Sequence, residues 1–439
     1  MSTQSLRVAV VGGGVCGLTC AVALQKHGVD AQVYEAASQF GEIGAGVDLG
    51  RNAINILSNL GVYEDICTRA NQVEAAAAKE LGARLGPSHQ GIDGIRGWFR
   101  FHSGMGEHEV LSDILHGVHR AVFMDALVQN VDPARAHFKK RCTHLSEHPS
   151  GKGMVIHFQD GTTAEADIVL GADGIKSVVR RYVTDTASLS VDPHLKFSNT
   201  ICFRSLVPAS KAKAAGCKFD YSERAVCMVG ENRHLILFPV RSGTLINVVA
   251  FASDPDSSPE KFSPPALSAV QHVTTEEVLA SYEGWGPEVT NLLSCMDDPT
   301  KWSINVVYPP IQPENWSRGP VTILGDAAHG MLPHLGAGAA QGLEDAYLLG
   351  QLLGHSQTNA TNVEAVLRAY AAVRHIRSHG VWQNSKRAGE IWDGRAGYSG
   401  VNVDEVRSLY DYIFLHPADA DLEAAEEILI KDGVFARSS

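Results

Sequence analysis

Apolar and polar positions follow different periods in successive parts of the chain. Residues 6–11 form a short apolar run, with Arg7 its one charge, that stops at glycine, the pattern of a strand buried on both faces. Residues 15–26 repeat their apolar positions at helical spacing and stop near Gly28. Residues 31–34 are strand-like again, so the opening predicts a β-α-β unit. Residues 52–60 read as a helix ending at Gly61, and 114–131 as another. The stretch from about 76 to 104 is rich in glycine and irregular. Residues 154–158 and 163–170 predict a hairpin turned at Asp160-Gly161. From about 197 to 251 the period becomes two: segments 200–206, 225–230, 234–239 and 245–251 predict a mixed sheet. Residues 253–265, rich in Ser, Pro and Asp, read as a surface loop. Residues 321–324 return to the buried-strand pattern, 339–353 form a strong helix, and helices fill the rest. Neither an internal repeat nor a low-complexity segment is evident.

The glycines at the first strand end give this pattern a chemical meaning. Gly12-x-Gly14-x-x-Gly17 follows a predicted strand and opens a predicted helix. There Gly12 permits the tight turn, Gly14 lets the backbone approach a pyrophosphate, and Gly17 lets the helix pack close to the strand. The helix N-terminus offers free N–H groups to the phosphates. Glu35 closes the second strand, where a carboxylate accepts from an adenosine ribose and disfavours a 2′-phosphate. The tight ligand is therefore FAD or NAD rather than NADP. A second element favours FAD. The apolar strand ending at Gly325-Asp326 is followed by Pro333 and by Gly336-Ala337-Gly338-Ala339, which starts a helix. An aspartate there suits a ribityl chain, and the helix N-terminus at Gly338 suits the pyrimidine of a reduced flavin. An ordinary β-turn-α crossover is the bland alternative.

Composition narrows the class. A chain of 439 residues, 44% hydrophobic and 20% charged, is long enough for two cores and unlike a disordered one. The net charge of −12 argues against nucleic acid as a partner, though a local arginine pocket still suits an anionic substrate. Eight cysteines without a C-x-x-C pair read as reduced thiols of a cytoplasmic protein, and the Cys16/Cys20 spacing is poor for zinc, so no metal is expected. Targeting and membrane-spanning stretches are not expected. Monomer and homodimer both stay open. The basic residues Arg374, His375, Arg377, His379, Lys386 and Arg387 read as a solvated helix face.

These segments together resemble the class A flavin monooxygenases, the aromatic hydroxylases related to para-hydroxybenzoate hydroxylase. The resemblance spans most of residues 6–355. It rests on the glycine motif, on Gly171-Ala172-Asp173-Gly174, and on GDAAHGMLPHLGAGAAQGLEDA around Gly325-Asp326. Within the family, EIGAGVDLGRNA, LGADGIKSVVR and HLILFPVRSGTLINVVAF point to the salicylate hydroxylase branch. The resemblance implies FAD contacts at Glu35, Gly46, Arg51, Arg120, Asp326, Gly338 and Ala339. It also implies that Asp173 serves both FAD and the encounter with NADH or NADPH, a transient co-substrate; no second G-x-G-x-x-G is present. The fold expected is α/β: a Rossmann-type FAD-binding domain (1–75, 105–190, 305–360), an inserted mixed β-sheet substrate domain (76–104, 191–304) and C-terminal helices (361–439).

The implied reaction joins a small aromatic substrate to an atom of O2, with flavin carrying the hard step. For salicylate, attack at the carboxylate-bearing carbon releases CO2 and leaves catechol. His334, after Pro333 in the flavin-facing turn, either meets the phenol or merely caps the turn, while His329 reads as structural. Arg204 sits on an apolar strand where a charge needs a partner. Related dearomatising hydroxylases hold the phenolate with an arginine in a matching segment and pair it with a tyrosine, where this chain has Phe238; an apolar wall results. Arg241 is a second candidate for the carboxylate. Other phenols stay open (a 3-hydroxybenzoate, a 6-hydroxynicotinate, a polyketide-derived resorcinol), as does a flavoprotein without catalysis.

Overall fold

The structure is a computed structural model that describes residues 6–41, 47–69, 99–103, 106–112, 116–118, 120–221, 225–240, 243–256, 258–265, 270–395 and 401–437. The first sheet has six strands in the order Ser317–Arg318, Val321–Ile323, Ile168–Gly171, Arg7–Val11, Asp30–Tyr34 and Ala136–His137. All its neighbours are parallel except the short Ser317–Arg318 edge. Val8 pairs with Ile168 on one side and Ala31 on the other. Val8, Ala9, Val10 and Val11 are all buried, which is why this strand is apolar without alternation.

Helix Val15–Lys26 crosses from the first strand to the second and packs on helix Gly338–Leu353. The approach is close because small residues face each other. A Cβ on Gly342 would sit 3.0 Å from Cys16 Sγ, and one on Gly350 would sit 2.6 Å from Ala23 Cβ. The Cys16 thiol donates to the Gly342 carbonyl at 3.3 Å.

The second sheet has eight strands in the order Val270–His272, Thr300–Val307, Leu195–Pro208, Leu245–Ser253, Arg233–Val240, Ala225–Gly230, Phe99–Ser103 and Gly106–Ser112. It is antiparallel except where Ala225–Gly230 runs beside Phe99–Ser103. One face packs Phe203, Leu235, Leu237 and Val248 against Val278, Leu292 and Leu293 of two short helices. The other packs Cys227, Ile236 and Phe238 against Leu335 and Ala337 of the turn 330–337, and against Val381, Ile391 and Trp392 of the long helix Val363–Trp392.

Several elements differ from the sequence reading. The strand expected over 200–206 runs Leu195–Pro208, because its first residues also pair with Asn305 to Val307 and its last with Leu245 and Ile246. The helix expected over 114–131 is Arg120–Gln129, preceded by strand His116–Val118. The run 163–170 is two strands. Thr163–Ala166 closes the hairpin, Asp167 turns the chain by accepting from the Arg7 amide at 2.9 Å, and Ile168–Gly171 enters the first sheet. Of the irregular stretch 76–104, residues 76–98 and 104 lie outside the described residues, and Phe99–Ser103 is a strand.

The largest correction concerns the basic helix. Arg374 and Arg377 are buried rather than solvated. The Arg374 guanidinium lies 2.7 Å from Glu344 and from Asp345 and 2.6 Å from Asp421, while Arg377 reaches Glu344 at 3.1 Å. The acids come from helix Gly338–Leu353 and helix Ala418–Lys431, so a face that looks solvated in one dimension meets its countercharges in three.

Candidate active site

The glycine motif lies where three chain segments converge. Gly12 takes φ +106°, and a Cβ there would lie 2.3 Å from the Ala172 carbonyl oxygen. A Cβ on Gly17 would lie 1.9 Å from the Gly12 carbonyl oxygen. Both positions therefore exclude a side chain. Gly14 is the N-cap of helix Val15–Lys26 and supplies no side-chain cap, which leaves the helix N–H groups available to an anion. Glu35 accepts from the Gly13 and Ala37 amides, each at 2.7 Å, and so is fixed at the motif's edge.

The second convergence is at Asp326. Gly325 takes φ +62° and its amide donates to Asp345 at 2.8 Å; His329 Nε2 meets the same carboxylate oxygen at 2.6 Å. Burial opposes ionisation of Asp345, yet the charges of His329 and Arg374 and their hydrogen bonds hold its carboxyl down at about 2. This clamp leaves Asp326 itself exposed at the strand end. Helix Gly338–Leu353 begins beside it without a side-chain cap, and a Cβ on Gly338 would meet only Asp326 Oδ1, at 3.9 Å. Ala339 follows, half-buried, in the first turn.

Other positions are less direct. Asp173 accepts from the Ser177 hydroxyl and from the Val178 and Val179 amides at 2.7 and 3.2 Å, so its carboxylate caps helix Val178–Val183. Burial pushes that carboxyl above its ordinary value despite these bonds. Arg51 opens helix Arg51–Leu60 and is exposed, and Arg120 opens helix Arg120–Gln129. Gly46 and Arg241 lie outside the described residues.

A cavity of about 340 Å³ lies under the turn 330–337, between the second sheet and the long helix. Thr200 and Ser253 form its sheet wall, Leu332 and His334 come from the turn, and Gly389 and Asp393 from the helix end. His334 is buried, and its ring lies flat enough against Gly389 that a Cβ there would be 2.5 Å from His334 Cδ2. Burial, helped by His234, pushes the His334 imidazole down to about 3, so it is neutral at ordinary pH. Pro333, its neighbour, is exposed. Behind His334 stands His234, fully buried, edge-on to His334 at 5.1 Å between ring centroids and stacked on Phe251 at 4.5 Å.

Arg204 and Phe238 share the sheet face turned toward the turn but stand outside the cavity's lining. Arg204 pairs with Val249, which pairs with Ile236, two residues before Phe238. The Arg204 guanidinium, half-buried, lies 5.5 Å over the Trp302 ring, which is the partner its apolar strand called for. Phe238 packs with Leu335 and Ala337.

Residues 5–280 and 296–385 match the family model described as FAD binding domain. The chain is 35% identical to a salicylate hydroxylase of Pseudomonas putida over 435 residues, covering 96% of this chain and 94% of the relative. The chain belongs to the FAD-dependent aromatic monooxygenases. It is also 34% identical to a 6-methylsalicylate 1-monooxygenase of Aspergillus terreus, over 88% of this chain and 83% of that one. Among solved structures, a salicylate hydroxylase substrate complex superposes with TM-score 0.79 at 30% identity, covering 96% of this monooxygenase and 98% of that chain.

FAD is the cofactor of this monooxygenase, and its residues fit that group. The glycine cradle admits no Cβ at Gly12 or Gly17, the uncapped N-terminus of the Gly338 helix stands beside an exposed aspartate, and the two helices concerned are locked together by glycine contacts. Sequence reasoning missed His234 and Asp393. They lie 159 residues apart and bond at 2.8 Å; His234 opens the segment HLILFPVRSGTLINVVAF, where a histidine on an apolar strand was the one signal available, and Asp393 stands in no motif.

Proposed function

We propose that this monooxygenase hydroxylates salicylate at its carboxylate-bearing carbon, consuming NADH and O2 and releasing catechol, CO2, NAD⁺ and water. Bound FAD would take the hydride from the nicotinamide and supply the oxygen atom. Glu35 would hold the adenosine ribose. Gly12, Gly14, Gly17, Gly46, Arg51 and Arg120 would line the path of the pyrophosphate and flavin. Asp173 would serve both FAD and the approach of the pyridine nucleotide. Asp326 would hold the ribityl chain, with the Gly338 and Ala339 amides at the pyrimidine.

The observation that carries the substrate reading is the cavity where a neutral, buried histidine and hydroxyl side chains meet charged groups of both signs, Lys386 and Arg395 beside Asp256, Glu390 and Asp393. An imidazole with so low a proton affinity is a poor base but a good hydrogen-bond acceptor or donor, so His334 orients the phenol rather than retaining its proton. Leu332 and Phe262 supply the cavity's apolar lining, and Phe238 and Pro333, which stand outside it, would border the reacting centre only if substrate reaches past the turn. Arg204 and Arg241 are the candidates for the substrate carboxylate. The end-to-end similarity to a salicylate hydroxylase supports the same choice.

The test is direct. FAD-loaded protein given salicylate, NADH and oxygen is expected to form catechol and CO2 in equal amounts as NADH is consumed. NADH oxidation that yields only hydrogen peroxide would end the salicylate assignment. A ring-substituted salicylate is the second reading, favoured by the similarity to a 6-methylsalicylate monooxygenase; a panel of phenols compared by stimulation of NADH oxidation separates the two.

A further inference from the structure

Gly50 joins strand Val47–Leu49 to helix Arg51–Leu60, and its backbone is extended, so its φ does not call for glycine. Space does. A Cβ on Gly50 would fall 1.9 Å from Phe414 Cδ1 and 2.2 Å from Phe414 Cε1. Phe414 is the last residue of helix Val403–Phe414 and stacks on Tyr410 at 5.5 Å between ring centroids. Its ring therefore lies directly on the turn that carries Arg51.

A polar route joins the same two segments. Arg377 donates to the Tyr412 and Ile413 carbonyls at 2.7 and 2.9 Å, in the last turn of helix Val403–Phe414, where a cation also meets the negative end of the helix dipole. Its Nε and Nη2 donate to Glu344, each at 3.1 Å. Glu344 in turn accepts from Asn52 Nδ2 at 2.6 Å. Asn52, Glu344 and Arg377 are all buried. Burial works to raise the Glu344 carboxyl, but Arg374 and Arg377 prevail and hold it below its ordinary value, so it stays an acceptor for both partners. The residue before Arg51 is thus packed by Phe414, and the residue after it is tied through Glu344 to the same helix. Arg51 itself is exposed, and the helix it opens has no side-chain cap.

We infer that helix Val403–Phe414 is a strut for the flavin site and that Phe414 is a positioning residue, which holds Arg51 toward FAD through Gly50. The inference rests on reading Arg51 as a FAD contact. It gives a part in cofactor binding to a helix at the far end of the chain.

The experiment titrates FAD into the flavin-stripped full chain. It reads the dissociation constant by quenching of flavin fluorescence, with the melting temperature of the flavin-free protein beside it. Phe414→Ala is expected to weaken FAD binding roughly three- to thirtyfold, and Phe414→Leu to restore most of it. Arg51→Ala is expected to weaken it as well. Adding Phe414→Ala to Arg51→Ala is then expected to cost nothing further, because the ring acts through that arginine. A Phe414 that only packs would lower the melting temperature and leave the dissociation constant alone, which overturns the inference; so does full additivity of the two losses. Should Phe414→Ala fail to fold, Gly50→Ala presses on the same contact from the other side, and wild-type FAD affinity there overturns the inference. Arg51→Ala by itself tests the reading beneath. Full affinity in it removes Arg51 from the flavin site and the inference with it, whereas a loss in Arg51→Ala without one in Phe414→Ala sinks the strut alone. No substrate is added, so the identity of the phenol does not enter.

Discussion

Single side chains carry the sharpest expectations. Asp326 stands exposed beside the uncapped N-terminus of helix Gly338–Leu353. If it holds the ribityl hydroxyls, Asp326→Ala removes a charge-assisted set and weakens FAD binding by about 1.5–3 kcal/mol. Flavin occupancy after purification and titration of added FAD measure it; unchanged affinity speaks against the role. His334 gives a pH expectation. Its proton affinity lies near the ordinary 6.5 in the unfolded chain and is pushed down to about 3 in the native one. Between those values the unfolded state binds more protons, so falling pH takes stability away, by about 1–1.5 kcal/mol per pH unit. Urea unfolding at a series of pH values is expected to show wild type losing stability faster than His334→Asn from about pH 6 downward. Parallel curves would contradict the neutral buried ring. Arg204 shows how far residue-level reading reaches: the sequence demands a partner for a charge on an apolar strand, but that partner is the ring of Trp302, almost a hundred residues away.

Two contacts between helices decide whether the flavin-facing parts meet. The approach of Val15–Lys26 to Gly338–Leu353 depends on glycine, and Gly350→Ala places a Cβ 2.6 Å from Ala23 Cβ, with the Ala23 backbone close behind. Such overpacking costs about 1–3 kcal/mol. Because the glycine motif and the Gly338 turn sit on these two helices, flavin affinity is expected to fall together with the melting temperature. Loss of stability with full flavin affinity would uncouple the helix contact from the site. The buried Arg374 tells the opposite story, of attraction rather than close fit. Arg374→Ala leaves Glu344, Asp345 and Asp421 without their shared cation, which costs about 3–5 kcal/mol. Denaturant unfolding checks it, and a loss within about 1 kcal/mol would mean that the acids find other partners. The glycine motif and the Gly338 helix were legible in the sequence because both are local patterns with mechanical reasons. The Arg374 network was not, because its members come from three helices.

The whole molecule brings a C-terminal helix end against a strand near the middle of the chain and a turn after the last strand of the first sheet. Gly389 is the narrowest point of that meeting. In Gly389→Ala the new Cβ falls 2.5 Å from His334 Cδ2, so the ring must move. The expected result is a larger share of NADH spent on hydrogen peroxide, with flavin occupancy unchanged, as read by parallel oxygen and peroxide assays. Product formation with wild-type coupling would argue that the His334 ring has no part in holding substrate. Whichever phenol is turned over, the cavity is a joint property of the sheet, the turn and the helix, and no one of these contains it.

The sequence by itself determined the local chemistry of nucleotide binding: glycines whose Cβ positions are forbidden, a carboxylate at the second strand end, and an aspartate before an uncapped helix. These are legible because each needs only a few neighbouring residues in a fixed backbone shape. Tertiary structure alone decided the surroundings of the cavity. Asp393 meets His234, Gly389 makes room for His334, and Trp302 receives Arg204, because packing joins segments that are remote in the chain. Burial and the neighbouring charges, rather than residue type, then set how readily His334 and Asp393 hold a proton.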